Sequence, residues 1–155
     1  MKNVSNSQIE MTELVLPNHT NQLGNLLGGQ LMHWIDICAA LSAAKHANKI
    51  CVTASVDRID FHHPIKLGDA VTLIASVNRV FKTSMEVGVK VYAQNFRLGT
   101  KIHTNTAYLT FVAVDENEKP VPVDQITPET EDEIRRFEDA LRRREDRLKN
   151  RSKNI

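Results

Sequence analysis

The sequence predicts an α+β domain in which antiparallel strands pack around one long helix, and three observations predict it. Three stretches, 71–77, 85–93 and 107–113, place apolar residues at every second position, the signature of half-buried antiparallel strands. One run, 28–46, is apolar on nearly every side at helical period, so it must be buried. The segment from Pro128 onward is dense in charge, with acids and bases at helical spacing.

Each element follows in order along the chain. "IEMTELVLP" alternates weakly and stops at Pro17, which fits a short first strand. Polar sequence follows to Gly28 and Gly29, and the apolar helix then runs to about His46. In "VTASVDRIDF" the apolar phase moves from Val52, Ala54 and Val56 to Ile59 and Phe61, suggesting a bulge or a strand covered on its second face. "HHPIKLGD" and "NRVFKTS" read as turns that separate the longer strands. The order is therefore one strand, one helix and four longer strands. A helix apolar all round needs a sheet on one side and a cover on the other, and a second subunit is a candidate cover.

The C-terminal segment is expected to form a helix starting near Thr127-Pro128. Four i,i+4 pairs support it: Glu131–Arg135, Asp132–Arg136, Glu138–Arg142 and Asp139–Arg143. Ile134, Phe137, Leu141 and Leu148 form the narrow stripe by which it would dock. The expected organisation is one domain over residues 8–125 and a helical extension over 126–155.

Composition excludes several classes of function. Lys and Arg number 20 against 19 Asp and Glu, a balance that argues against nonspecific nucleic-acid binding. The N-terminal stretch has no apolar signal core and the chain has no membrane-length apolar run, so a cytoplasmic protein is expected. Cys38 and Cys51 lie in apolar contexts without metal-ligand spacing and read as reduced core residues. His62 and His63 are adjacent, so on a strand they would face opposite ways, and no metal site is expected. His46 and His103 look incidental.

Asp36 is the residue that asks for chemistry. It stands near the middle of the apolar run, where an unpaired carboxylate would be costly. It has either a polar partner, with His33 and Arg58 as candidates, or a cleft in which its charge is used. Gly28 and Gly29 open the same helix, and the free N–H groups there could polarise a substrate carbonyl.

"NHTNQLGNLLGGQLMHWIDICAALSAAKHA" followed by "VTASVDRIDFHHPIKLGD" resembles the acyl-CoA thioesterases of the hotdog fold. The branch most similar is that of the cytosolic acyl-CoA hydrolases. "SMEVGVKV", "AYLTFVAVDENEKPVPV" and "PETEDEIRRFE" match in order, so the resemblance spans about Thr12 to Arg147. It implies an antiparallel sheet curled around one helix, with domains paired so that active sites lie between subunits. It also implies a dimer as the minimal active unit, assembling further into a hexamer. Residue by residue, Asn21 and Asp36 would be the catalytic pair, contributed by opposite subunits, with Gly28 and Gly29 as oxyanion donors. Part of the coenzyme A (CoA) nucleotide site would lie at Arg79, Lys82, Thr83 and Ser84, with Arg58 and Lys66 as further candidates. The implied substrate is a fatty acyl-CoA, and no cofactor is needed beyond the CoA of substrate and product. Two other readings are a hotdog dehydratase or hydratase using His33, and a noncatalytic acyl-CoA sensor.

Overall fold

The computed structural model describes residues 2–151. In chain order the strands and helices are β1 (Lys2–Asn3), β2 (Ile9–Leu14), α1 (Gly28–Ala47), β3 (Ile50–Val56), β4 (Ala70–Val80), β5 (Ser84–Asn95), β6 (Thr100–Val114), β7 (Ile126–Thr127) and α2 (Glu131–Arg151). Five strands form an antiparallel sheet in the order β2-β4-β5-β6-β3, and β1 pairs with β7 in a short parallel ribbon. None of the described helices is long and apolar enough to cross a membrane.

The strand alternation aims one set of side chains at α1. Val71, Leu73, Ala75 and Val77 from β4, Met85, Val87, Val89 and Val91 from β5, and Leu109 and Phe111 from β6 are fully buried. Facing them, α1 contributes Leu31, Trp34, Ile35, Cys38, Ala39 and Ala43, spaced three and four apart on one face. The opposite face of α1 is open: Ile37 and Leu41 are exposed there. The helix ends at Asn48, whose left-handed backbone (φ 54°) suits an asparagine at a C-cap.

β3 is an edge strand, and it carries apolar side chains outward. Ile50, Val52 and Val56 are 64%, 46% and 42% exposed. A register shift between Thr53 and Ser55 sets a bulge in β3. The change of phase farther along, at Ile59 and Phe61, has a different origin: the chain has left the sheet after Val56.

The C-terminal helix differs from its expected form in three ways. It starts at Glu131, because the Thr130 hydroxyl accepts a hydrogen bond from the Glu133 N–H (3.1 Å) and caps the first turn there. Its ion pairs are i,i+3, Asp132–Arg135 and Asp139–Arg142, while Arg143 turns inward to Glu86. Its docked face is not the aliphatic stripe. Ile134, Leu141 and Leu148 are exposed, whereas Ala140 is fully buried and Phe137, Arg143, Arg144 and Arg147 are half-buried.

Buried ionic contacts explain that choice of face. Glu86 is fully buried on the outer side of the sheet, and Arg143 donates to both its carboxylate oxygens at 2.8 Å. Asn78 Nδ2 adds a third donor at 2.9 Å. The Arg143 guanidinium also lies 3.6 Å from the Tyr108 ring centroid. Arg79 makes the second attachment, donating to the Phe137 carbonyl (3.1 Å) with its guanidinium 4.0 Å from that residue's ring centroid. Gly88 makes room for this cluster, since a Cβ there would come within 2.8 Å of Asn78 Nδ2.

Candidate active site

Asp36 sits on the side of α1 that faces β3, half-buried rather than sealed in the core. Its partner is Thr53, whose hydroxyl donates to Asp36 Oδ1 at 2.8 Å. Neither residue considered from the sequence fills this role. Arg58 donates to Asp60 (3.1 Å), and His33 is exposed one turn earlier on α1. Asp36 Oδ2 accepts no hydrogen bond from any described residue, and no described cation lies within ion-pair distance of the carboxylate. A carboxylate fixed through one oxygen and open at the other can take a proton from water or attack a carbonyl.

Asn21 lies in the loop before α1, where its side chain shapes the backbone. Asn21 Oδ1 accepts from the N–H groups of Leu23 (2.9 Å) and Asn25 (3.1 Å), closing an Asx turn. Gly24 completes that turn at φ 74°, a conformation that suits glycine. The geometry leaves Asn21 Nδ2 available to a ligand. His19 steadies the same loop: its ring meets Trp34 edge-on at 5.1 Å, and its carbonyl accepts from the Leu27 N–H.

Gly28 and Gly29 are the first residues of α1, and no side chain caps the helix at Leu27. Their N–H groups precede the first intrahelical bonds and point outward. A side chain at Gly29 would meet nothing within 4 Å, so those donors are approachable. Asn21 and Gly28 share a cavity of about 200 Å³ with Leu31, Phe61 and His63.

Within one protomer these groups do not converge. Gly28 and Asp36 are eight residues apart on one helix, about 12 Å along its axis. An oxyanion donor and a base must each lie about 3 Å from the reacting centre. One chain therefore carries two separate groups: the Asn21–Gly28 cavity, with Gly29 next to it at the helix start, and the Asp36–Thr53 pair.

The nucleotide-site candidates separate into two groups. Arg58, Thr83 and Ser84 line one groove of about 880 Å³ between the outer side of the sheet and the C-terminal turns of α2. Arg79 is not in that groove, because it is committed to Phe137. Lys82 is exposed on the turn, and its carbonyl accepts from the Val123 N–H. Lys66 donates to Asn25 Oδ1 (2.6 Å) and so buttresses the Asn21 loop.

Sequence reasoning missed Thr53, as well as the arginines that α2 adds to the groove. Charge density in the C-terminal segment was the only signal for the latter. Cys38 is buried, and burial pushes its thiol up to about 11, so it is poorly suited to be a nucleophile. Burial also raises the Cys51 thiol. Among the described residues no group of three His, Cys, Asp or Glu could hold a metal ion.

Comparison with known proteins bears on this geometry. The model of the thioesterase superfamily matches residues 23–100. An uncharacterized acyl-CoA thioester hydrolase of Bacillus subtilis is 46% identical over 128 residues, covering 83% of this chain and 74% of that one. The apo form of a hexameric acyl-CoA thioesterase has a TM-score of 0.92 at 46% identity, covering 96% of this chain and 95% of that one. An acyl-CoA hydrolase of Staphylococcus aureus, solved with butyryl coenzyme A, coenzyme A and coenzyme A disulfide, has a TM-score of 0.92 at 37% identity, over 98% of this chain and 93% of that one. That hydrolase has also been solved as variants in which an aspartate, an asparagine or a threonine is replaced by alanine.

Proposed function

The chain belongs to the thioesterase superfamily, and from that premise we propose that it hydrolyses acyl-CoA thioesters to a free acid and CoA. The observation that carries the reading is the Asp36 carboxylate, pinned through one oxygen by Thr53 and open at the other. The aspartate, asparagine and threonine replaced in the Staphylococcus aureus enzyme stand at the same intervals along that chain as Asp36, Asn21 and Thr53 do here.

The reaction is shared between two copies of the chain. Pairing through the exposed faces of α1 and β3 would bring the Asn21–Gly28 cavity of one protomer, with the Gly29 amide beside it, against Asp36 of the partner subunit. A thioester carbonyl then rests on the glycine amides, which stabilise the oxyanion as it forms. Each such donor is worth about 10² to 10³ in rate. Asp36 takes a proton from water as the resulting hydroxide attacks the carbonyl carbon, or it attacks that carbon itself. On collapse, the carbon–sulfur bond breaks and the thiolate of CoA leaves, protonated by Asp36 in the first route and by solvent in the second. In the second route water then hydrolyses the Asp36–acyl anhydride, which releases the acid and restores the carboxylate. Asn21 Nδ2 donates to the attacking water or to the carbonyl oxygen.

The dimer is the minimal unit this scheme needs, and a hexamer built from such dimers is the assembly we propose. The two unpaired cysteines fit a cytoplasmic place of work. Arg58, Thr83 and Ser84 would receive the nucleotide end of CoA in their shared groove.

Thiol release from acyl-CoA esters of graded chain length tests the function. Wild type should release CoA, and Asp36→Asn should lose at least about 10² in kcat with unchanged thermal stability. Comparable turnover by that variant would remove Asp36 from the chemistry. Tight acyl-CoA binding by wild type without any thiol release would make the protein a sensor instead.

A further inference from the structure

We infer that α2 forms the cationic wall of the nucleotide site, with Arg144 and Arg151 as its phosphate-binding side chains; this rests on the acyl-CoA reading above. Five arginines line the groove, Arg58, Arg143, Arg144, Arg147 and Arg151, against the aspartates Asp57 and Asp146. Most of these charges are already answered. Arg143 is held by Glu86, Arg147 by Asp57 (3.3 Å) and Arg58 by Asp60. Arg144 and Arg151 are left without a carboxylate partner among the described residues. The Arg144 guanidinium packs 4.3 Å from the Phe81 ring centroid, which orients it while leaving its N–H edge available. A planar guanidinium with several free donors matches the oxygens of a phosphate.

A second observation points to a ligand in the same place. Thr110 lines the groove, and its hydroxyl is buried with no hydrogen-bond partner. Buried polar groups are as a rule satisfied, so an unpaired hydroxyl on a groove-lining residue marks a place where a polar ligand or water belongs. Asn78 Oδ1 is the other buried side-chain polar atom without a partner among the described residues. The hydroxyls of Thr83 and Ser84 line the same groove.

Connectivity favours the nucleotide of CoA as the occupant. Thr53, which holds Asp36, is followed directly on β3 by Ala54 and Ser55, and both line the groove. One strand thus joins the reacting carboxylate to the arginine wall. Acyl-CoA has the matching form, a thioester at one end of a long arm and phosphates at the other. The Glu86–Arg143 and Arg79–Phe137 attachments hold α2 against the outer side of the sheet, which sets where this wall stands.

The test compares an acyl-CoA with the matching acyl-pantetheine, which keeps the thioester and lacks the nucleotide. In Arg144→Ala/Arg151→Ala, KM for the acyl-CoA should rise about tenfold or more, as expected when charge-assisted hydrogen bonds are lost. Its dependence on salt should weaken, and kinetics on acyl-pantetheine should not change. An unchanged KM for the acyl-CoA overturns the proposal, and so does equal loss on both esters. Free CoA and free pantetheine, titrated by calorimetry, decide the matter even if neither ester is hydrolysed. Affinity lost for CoA alone supports the wall, and affinity retained for CoA rejects it.

Discussion

Thr53 illustrates how much of this site depends on single contacts. Its hydroxyl is the described donor to Asp36, and losing it frees a half-buried carboxylate to rotate. Thr53→Val keeps the shape and deletes the donor, so kcat should fall about tenfold, the scale of one charge-assisted hydrogen bond. Thr53→Ser restores the donor and should recover most of that loss. Steady-state rates on one acyl-CoA decide it. His46 gives a residue-scale prediction of another kind. It is 2% exposed, and Nε2 lies 2.7 Å from the Asp124 carbonyl, so the neutral ring donates there. Burial lowers its pKa below the usual histidine value, outweighing the carbonyl that favours the charged form. The unfolded chain therefore binds a proton that the folded chain refuses. Stability from this source is present above about pH 6.5 and is lost as pH falls through the lowered value. Thermal midpoints measured from pH 7.5 to 5 should drop in wild type and drop less in His46→Gln. Asp36 was legible in the sequence because a lone carboxylate in an apolar helix demands an explanation. Thr53 was not, because a threonine on a strand is ordinary until the helix beside it is placed. The role of His46 was hidden for the same reason, since its carbonyl partner is distant in the chain.

At the level of elements, the legible parts were those with one apolar face and one dominant period. α1 and the strands β4, β5 and β6 lie where the alternation put them. The C-terminal helix was foreseen, but not the face it buries, because that face is built from charges. In "SMEVGVKV" Glu86 falls on the face opposite the apolar one, and only the packing of α2 shows it as a sealed partner of Arg143. Such a pair adds little over a hydrophobic replacement, yet breaking it strands a buried charge. Arg143→Met should therefore destabilise the fold by about 3–5 kcal/mol in urea unfolding. Glu86→Leu combined with Arg143→Met should recover much of that loss. If the single and double variants are equally unstable, packing rather than charge attaches the helix. Gly88→Ala probes the same cluster from below, and the 2.8 Å approach to Asn78 predicts a destabilised protein.

At the scale of the whole molecule, the proposed chemistry requires two copies of the chain, and that requirement comes from helix geometry rather than from any one contact. Gly28 and Gly29 stand about 12 Å and about 10 Å from Asp36 along the axis of one rigid helix, too far for amides and carboxylate to serve one carbonyl. The faces needed for pairing are present: Ile37 and Leu41 on α1, and Ile50, Val52 and Val56 along an unpaired strand edge, all exposed. An apolar strand edge of this kind invites another strand, and a two-fold axis there would build two identical composite sites. Complementation tests that arrangement directly. Asn21→Ala and Asp36→Asn should each be nearly inactive alone. Co-expressed, half of the randomly formed dimers would hold one of each chain, and each of these would contain one intact site and one doubly defective site. Activity should return to about one quarter of wild type, the fraction set by random two-fold pairing. If instead both groups served a site within one protomer, no mixture of the two variants would recover activity. Adding Val52→Asp to both chains should abolish the recovery while leaving the far-ultraviolet circular dichroism intact, because a charge on the edge strand opposes the pairing.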